Sequence, residues 1–346
     1  PLYQEHHQRY RDLYYQLHAT VDGSVDRVRQ AVTDGAGAGG GDAVIVRTAD
    51  HGELLGSHGG LHQKWFQLYD ESTRVPFSIA RVGSSATTGR HVEAPTSHVD
   101  LVPTLLAAAS IDETATADTL RSDFSEVHPL PGSNLLPVVD GAVPAADRVV
   151  YVMTRDNMPE GDTGASGVAR AYGRVQDAPG PLRINVPAHV ATNFEGIVCH
   201  VGDIDAAGAG GHLWKLVRTF DDPAAWTEPG VRQLASDGLG GPTYRTSLLP
   251  DQWELYDLTA DPVEMANRWD DPDAADVLAL MRERLKAERH RAAPERNEPW
   301  PYSTSRITEI GKVPLLPPGD LIRQQVRERV QQRVRDRMAS RNAGPS

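Results

Sequence analysis

The sequence predicts an α/β protein in which a sheet flanked by helices is followed by a smaller antiparallel sheet. Three observations carry this. A short apolar run, Val44-Ile45-Val46, stops at Asp50-His51-Gly52 and opens into a polar, Gly-rich loop, as a buried α/β strand does at its carboxyl end. Apolar residues recur at helical spacing on both sides of that run. From about residue 157 the texture changes to short strands separated by Gly and Pro clusters, which favours a small antiparallel sheet. The chain therefore divides into 1–156, the α/β part with the Asp-His-Gly loop; 157–295, a subdomain with an antiparallel sheet and a helix; and 296–346, an extended segment with a basic tail.

Residues 1–35 form a helix by the spacing of Leu13, Leu17, Val21, Val25 and Val28, and the Gly-rich stretch Thr33 to Asp42 turns into the strand. Phe77, Ile79 and Ala80 suggest a second strand opened by Pro76, whose missing N–H confines it to a strand start or edge. Asp100 precedes a helix over Leu101 to Ala109, with Pro103 in its first turn. The acidic stretch 111–128 reads as an exposed loop, and 148–156 as a strand. Ala274 to Ala293 reads as a helix with Val277, Leu278, Leu280, Met281 and Leu285 on its apolar side.

Loops at the carboxyl ends of such strands bind ligands, so Asp50 and His51 are candidate metal ligands. Adjacent strand residues point to opposite faces, so the two side chains meet one cation only if the backbone leaves strand geometry, a freedom Gly52 supplies. A plain turn, with Asp accepting backbone hydrogen bonds and Gly at positive φ, is an equal reading of these three residues. His58 and His62 are spaced i to i+4, but Gly59 and Gly60 between them disfavour a shared helix face.

The chain has 346 residues, 39% of them hydrophobic, enough for one large or two ordinary cores. No run approaches the roughly 18 apolar residues of a membrane-spanning helix. A single cysteine, Cys199, excludes an internal disulfide framework and reads as a buried or free thiol. The net charge of −12 hides an asymmetry: residues 321–346 hold seven Arg against Glu328 and Asp336. With Ile322, Val326, Val330, Val334 and Met338 at every fourth position, that tail forms an amphipathic helix suited to the acidic body or to a second subunit, as in a homo-oligomer. The acidic remainder argues against nucleic acid as a partner.

TADHGELLGSHGGLHQK at 48–64, followed by YDESTRVPFSIA, resembles the S-D-H-G-E, L-G-x-H-G, K, Y-E-E-S-x-R-V-P-L succession of the sulfatase branch of the alkaline phosphatase superfamily. The resemblance continues in order through SHVDLVPTLLAAASI at 97–111, LPGSNLLPVVDG at 130–141, WKLVRTFDDP at 214–223 and ELYDLTADPVEMANRWDDP at 254–272. It implies the alkaline phosphatase-like sandwich of a mixed sheet with helices, and hydrolysis of a small-molecule sulfate ester. Residue by residue it makes Asp50 and His51 metal ligands and Lys64 the catalytic lysine that contacts the ester oxygens; His62, by its place in the same loop, reads as a substrate contact. His58 and Glu53 read as supporting residues, with a general base as the alternative for Glu53 because it follows the metal pair, and Asp100, Arg74 and Pro76 as architecture.

The implied cofactors are a divalent metal, Ca²⁺ foremost with Mn²⁺ or Mg²⁺ as alternatives, and a formylglycine made from the first residue of C/S-x-P-x-R. That motif does not occur in this sequence, no Asp-Asp pair precedes the Asp-His-Gly loop as the family's does, and Cys199 lies in IVCHVGD without the required Pro and Arg. The resemblance therefore reads the chain as the C-terminal part of a longer enzyme, inactive alone. His at position 51, shared with a phosphonate-cleaving group, keeps a phosphonate monoester or phosphodiester hydrolase open beside the sulfatase. A non-catalytic metal-binding or interaction module is the reading of a different class.

Overall fold

The computed structural model describes residues 2–293 apart from 37–39, 65–66, 84–88, 125–126, 142–147, 156–190, 192, 203–210, 224–225, 227–229 and 237–241. The tail at 321–346 lies outside the described residues. Helix α1 spans Leu2–Gly35, so the helical spacing carries through Thr33 and Asp34, which composition had given to a turn. It ends just before β1, Ala43–Arg47, which pairs antiparallel with β2, Ser78–Val82, in the register Ala43↔Val82 to Arg47↔Ser78. Val44, Ile45 and Val46 are half-buried rather than buried, because their sheet among the described residues is two strands wide. The apolar positions of α1 are exposed: Leu13, Leu17, Val21 and Val28 each keep more than half of their surface.

Between the strands lie a turn at 57–60 and helix α2, Asp70–Thr73. After β2, a turn at His98–Asp100 leads into α3, Leu101–Ala108. Asp100 is the fold and capping residue the sequence predicts. Its carboxylate accepts from the Ser97 and Ser133 amides at 2.9 and 2.8 Å and pairs with Arg148 at 2.6 Å. The acidic stretch is exposed as expected but contains a helix, α4, Glu113–Leu120. Asp112 starts it by accepting from the Ala115 amide at 2.9 Å, a side-chain cap that the run of acidic and Thr residues obscures. Helix α5, Leu136–Val139, follows.

Strands β3 (Val149–Arg155), β4 (Asn193–Val201), β5 (His212–Phe220) and β8 (Gln252–Asp257) form an antiparallel sheet in the order β3-β4-β5-β8. Strands β6 (Gln233–Ser236) and β7 (Pro242–Arg245) make a separate hairpin. Alternation sets the two faces of the larger sheet. Ile197, Cys199, Trp214, Leu216 and Leu255 face α6, Ala275–Ala292, whose Met281 and Leu285 are buried against them. Val277 and Leu278 pack at the edge of this core, whereas Leu280 points out and is 41% exposed. Cys199 is a buried thiol, 3.3 Å from Met281 Sδ and from Arg284 Nη1. The other face carries Phe194 and Val217, which meet Leu68 of the segment before α2. Through Leu68 the sheet touches the loop that holds the candidate site.

Glu195 is the charged exception on the α6 side. It is 2% exposed and accepts from Arg218 at 2.8 Å and from both Arg289 nitrogens at 2.5 and 2.6 Å. Burial works against its ionisation, but the Arg289 and Arg218 hydrogen bonds more than offset that and hold its carboxyl below the usual range.

Candidate functional site

The chain leaves β1 at Arg47 and turns sharply over Asp50-His51-Gly52. The Asp50 side chain is open to solvent, and its carboxylate accepts the His51 amide at 2.9 Å. That backbone hydrogen bond is the main reason its pKa lies below the ordinary aspartate value. His51 Nδ1 lies 2.8 Å from the Gly52 carbonyl oxygen. A carbonyl only accepts, so Nδ1 carries the proton and Nε2 holds a lone pair. That lone pair faces two groups: the Lys64 ammonium, which hydrogen-bonds to it, and the Asp50 carboxylate, 3.4 Å away.

Gly52 is needed for a reason other than the conformational freedom that its sequence position suggests. It is not among the positive-φ glycines. A Cβ there would overlap the carbonyl of Glu71, because Gly52 N–H donates to the Ser72 carbonyl at 2.8 Å and draws α2 against the loop. The loop beyond is closed by its own backbone, with Leu54 N–H on Gln63 O at 3.0 Å and Gly56 N–H on Leu61 O at 2.7 Å. Leu55, His58 and Gln63 hold φ of 48°, 49° and 65°, a region that side chains other than Gly seldom occupy. Such conformations persist only where the surroundings over-determine them.

Glu53 supplies part of that determination. Its carboxylate accepts the Gln63 amide at 2.5 Å and the Leu55 amide at 3.3 Å, so it fastens the turn immediately before Lys64. The Tyr10 hydroxyl of α1 bonds to the same carboxylate, and burial, then Glu53, raises the Tyr10 pKa. His58 stacks on Tyr69 with ring centroids 3.6 Å apart and bonds to Glu71 at 3.1 Å. Both residues therefore bind the loop together. His62 lies apart from Asp50 and His51: it is exposed and packs edge-on against Tyr10 and at a tilt against His7 of α1. His98, which the sequence reading gave no role, sits 3.1 Å from Thr48 Oγ1, two residues before Asp50.

Cis donors bound at about 2.1 Å to one octahedral ion lie roughly 3 Å apart, so the Asp50–His51 pair fits adjacent positions on one cation. An imidazole nitrogen beside a charged oxygen suits Mn²⁺ better than Ca²⁺ or Mg²⁺, both of which favour oxygen donors such as the Asp50 carboxylate. Two donors do not complete a coordination shell. Among the described residues no group of three His, Cys, Asp or Glu side chains converges as a metal site.

The family model described as Sulfatase matches residues 2–111. The chain is 34% identical over 126 residues to the uncharacterized sulfatase YidJ of Escherichia coli strain K12, a match covering 36% of this chain and 21% of that protein. It is 35% identical over 103 residues to the choline-sulfatase of Rhizobium meliloti strain 1021, covering 29% and 17%. The arylsulfatase K of Danio rerio is 31% identical over 104 residues, covering 30% and 19%. The matches thus span about a fifth of each relative's length. Among solved structures, the phosphonate monoester hydrolase of Agrobacterium radiobacter aligns at a TM-score of 0.36 with 21% identity, over 72% of this chain and 35% of that one.

Proposed function

We propose that this chain, whose residues 2–111 form a sulfatase-family segment, carries part of the active site of a sulfate ester hydrolase. The observation that supports this best is the convergence of the Asp50 carboxylate, the His51 Nε2 lone pair and the Lys64 ammonium in the loop after β1. Sulfate ester cleavage is mainly a matter of positioning and electrostatics around a group with three non-bridging oxygens. In this reading Asp50 and His51 hold a divalent cation, Ca²⁺, Mn²⁺ or Mg²⁺. A cation so held polarises the ester oxygens. Lys64 adds a compact positive charge that needs no bidentate geometry; His62, packed on His7 and Tyr10 of α1, is a substrate contact in this reading only for a group that extends beyond the Asp50–His51 pair.

The sequence contains no C/S-x-P-x-R, so in this proposal the formylglycine nucleophile is supplied from outside these residues. Because His51 offers a nitrogen donor, a phosphonate monoester or phosphodiester is the second substrate class. Turnover of an aryl sulfate, a phosphonate monoester and a phosphodiester by the intact protein loaded with each metal decides between them. Sulfate preference upholds the reading; absence of all three activities removes it and leaves the metal-binding module. The arginine-rich helix expected at 321–346 belongs to the proposal as a contact between subunits, tested by the oligomeric state with and without those residues.

A further inference from the structure

Strand β5 reads His212-Leu-Trp-Lys-Leu-Val-Arg-Thr-Phe220, with Lys215 between two buried apolar residues. Alternation turns Trp214 and Leu216 toward α6 and Lys215 toward the opposite face, where Leu68 and α2 lie. The lysine is only 3% exposed. Its ammonium donates to the Leu68 carbonyl at 3.0 Å, pairs with Asp70 and lies 2.9 Å from Glu264. Glu264 in turn accepts the Asp70 amide at 2.6 Å, and holds its carboxylate there with a φ of 53°. The backbone at 68–70 is thus gripped from two sides by the C-terminal part of the chain.

The gripped segment reaches the site by two short routes. Ser72 carbonyl accepts the Gly52 amide, next to His51. Tyr69 stacks on His58, whose ring also bonds to Glu71. We propose that Lys215 is a positioning residue: with Glu264 it fixes residues 68–72, and through them the spacing of Asp50, His51 and Lys64. A lysine and a glutamate buried this deeply require a reason to be ionisable at all, since apolar residues of similar volume often stabilise such a site equally well. Fixing a loop built of left-handed turns is that reason here.

The proposal rests on the reading of the Asp50–His51 pair as a metal site, but not on which ester is cleaved. The test uses the intact protein with Lys215→Met combined with Glu264→Gln, which removes both charges together, and with Glu264→Gln alone, which keeps an oxygen for the Asp70 amide. Hydrogen exchange is followed at the Gly52 segment and at β4 and α6, and Mn²⁺ affinity is measured alongside. The expected result is faster exchange at 50–64 with β4 and α6 unchanged, and a loss of about tenfold or more in Mn²⁺ affinity. If the ester activity exists, kcat falls while KM holds. Equal loosening of all three segments, or unchanged exchange at 50–64, overturns the proposal and makes Lys215 an ordinary packing residue. If the double variant fails to fold, Glu264→Gln decides by the same readouts. A protein that turns over no ester but loosens selectively at 50–64 upholds the positioning role and refutes the hydrolase reading.

Discussion

His51 turns its Nε2 lone pair toward the Lys64 ammonium, because its Nδ1 proton is committed to the Gly52 carbonyl at 2.8 Å. The same lone pair is the one a metal ion would use. A cation held by His51 would therefore have to take that lone pair from Lys64, whose ammonium would then be released to other acceptors.

Lys64→Ala separates these two roles. Removing the competitor raises Mn²⁺ affinity, while removing one positioned charge lowers ester turnover by about 10² to 10³. Isothermal titration and steady-state kinetics on the intact protein check the pair. Unchanged values on both counts return Lys64 to an ordinary loop lysine.

Glu53 distinguishes scaffold from base. Its oxygen accepts the Gln63 and Leu55 amides, a task an amide oxygen also performs. Glu53→Gln therefore retains turnover within a few-fold, and Glu53→Ala leaves two amides without their acceptor, costing about 1–3 kcal/mol. A general base would lose about 10² or more in the Gln variant as well.

Gly52→Ala places a methyl against the Glu71 carbonyl. Overpacking of this kind costs about 1–3 kcal/mol, and the damage is local: the Gly52–Ser72 hydrogen bond opens while α6 stays protected. Exchange at those amides measures it.

Stability depends on pH in two opposed ways. Glu254 and Glu264 have raised pKa values, in both cases first because of burial. A raised carboxyl binds its proton more tightly when folded, so stability grows as pH falls through that raised range toward the ordinary glutamate value of 4.5. Glu195 and Asp221 are lowered despite burial, by Arg289 with Arg218 and by Arg245 with Trp226. Their contribution is present above the unfolded values and is lost as pH falls through the depressed ones. The Tm is therefore greatest on the acid side of neutrality and drops below it. A Tm that climbs without a maximum to neutral pH contradicts these directions.

Elements that announce themselves by local pattern were legible in the sequence. The helix through Leu13 to Val28, the strand at 43–47 and the Asp100 helix start all depend on neighbours a few residues away. What depends on distant contacts was not. Gly52 is required by the Glu71 carbonyl rather than by its own φ. Leu280 matches its helical neighbours in composition yet faces out, because the sheet contacts Met281 and Leu285 instead. Lys215 carried a readable signal, a charge inside an apolar strand, but its partners at 68, 70 and 264 are known only once the chain is folded.

The central claim is that Asp50 and His51 share a divalent cation. Its most direct measurement is the equilibrium Mn²⁺ and Ca²⁺ content of the intact protein beside Asp50→Ala and His51→Ala, at matched folded concentration by circular dichroism. The account predicts bound metal in the wild type and its loss in both variants. Equal metal content in all three proteins would contradict it.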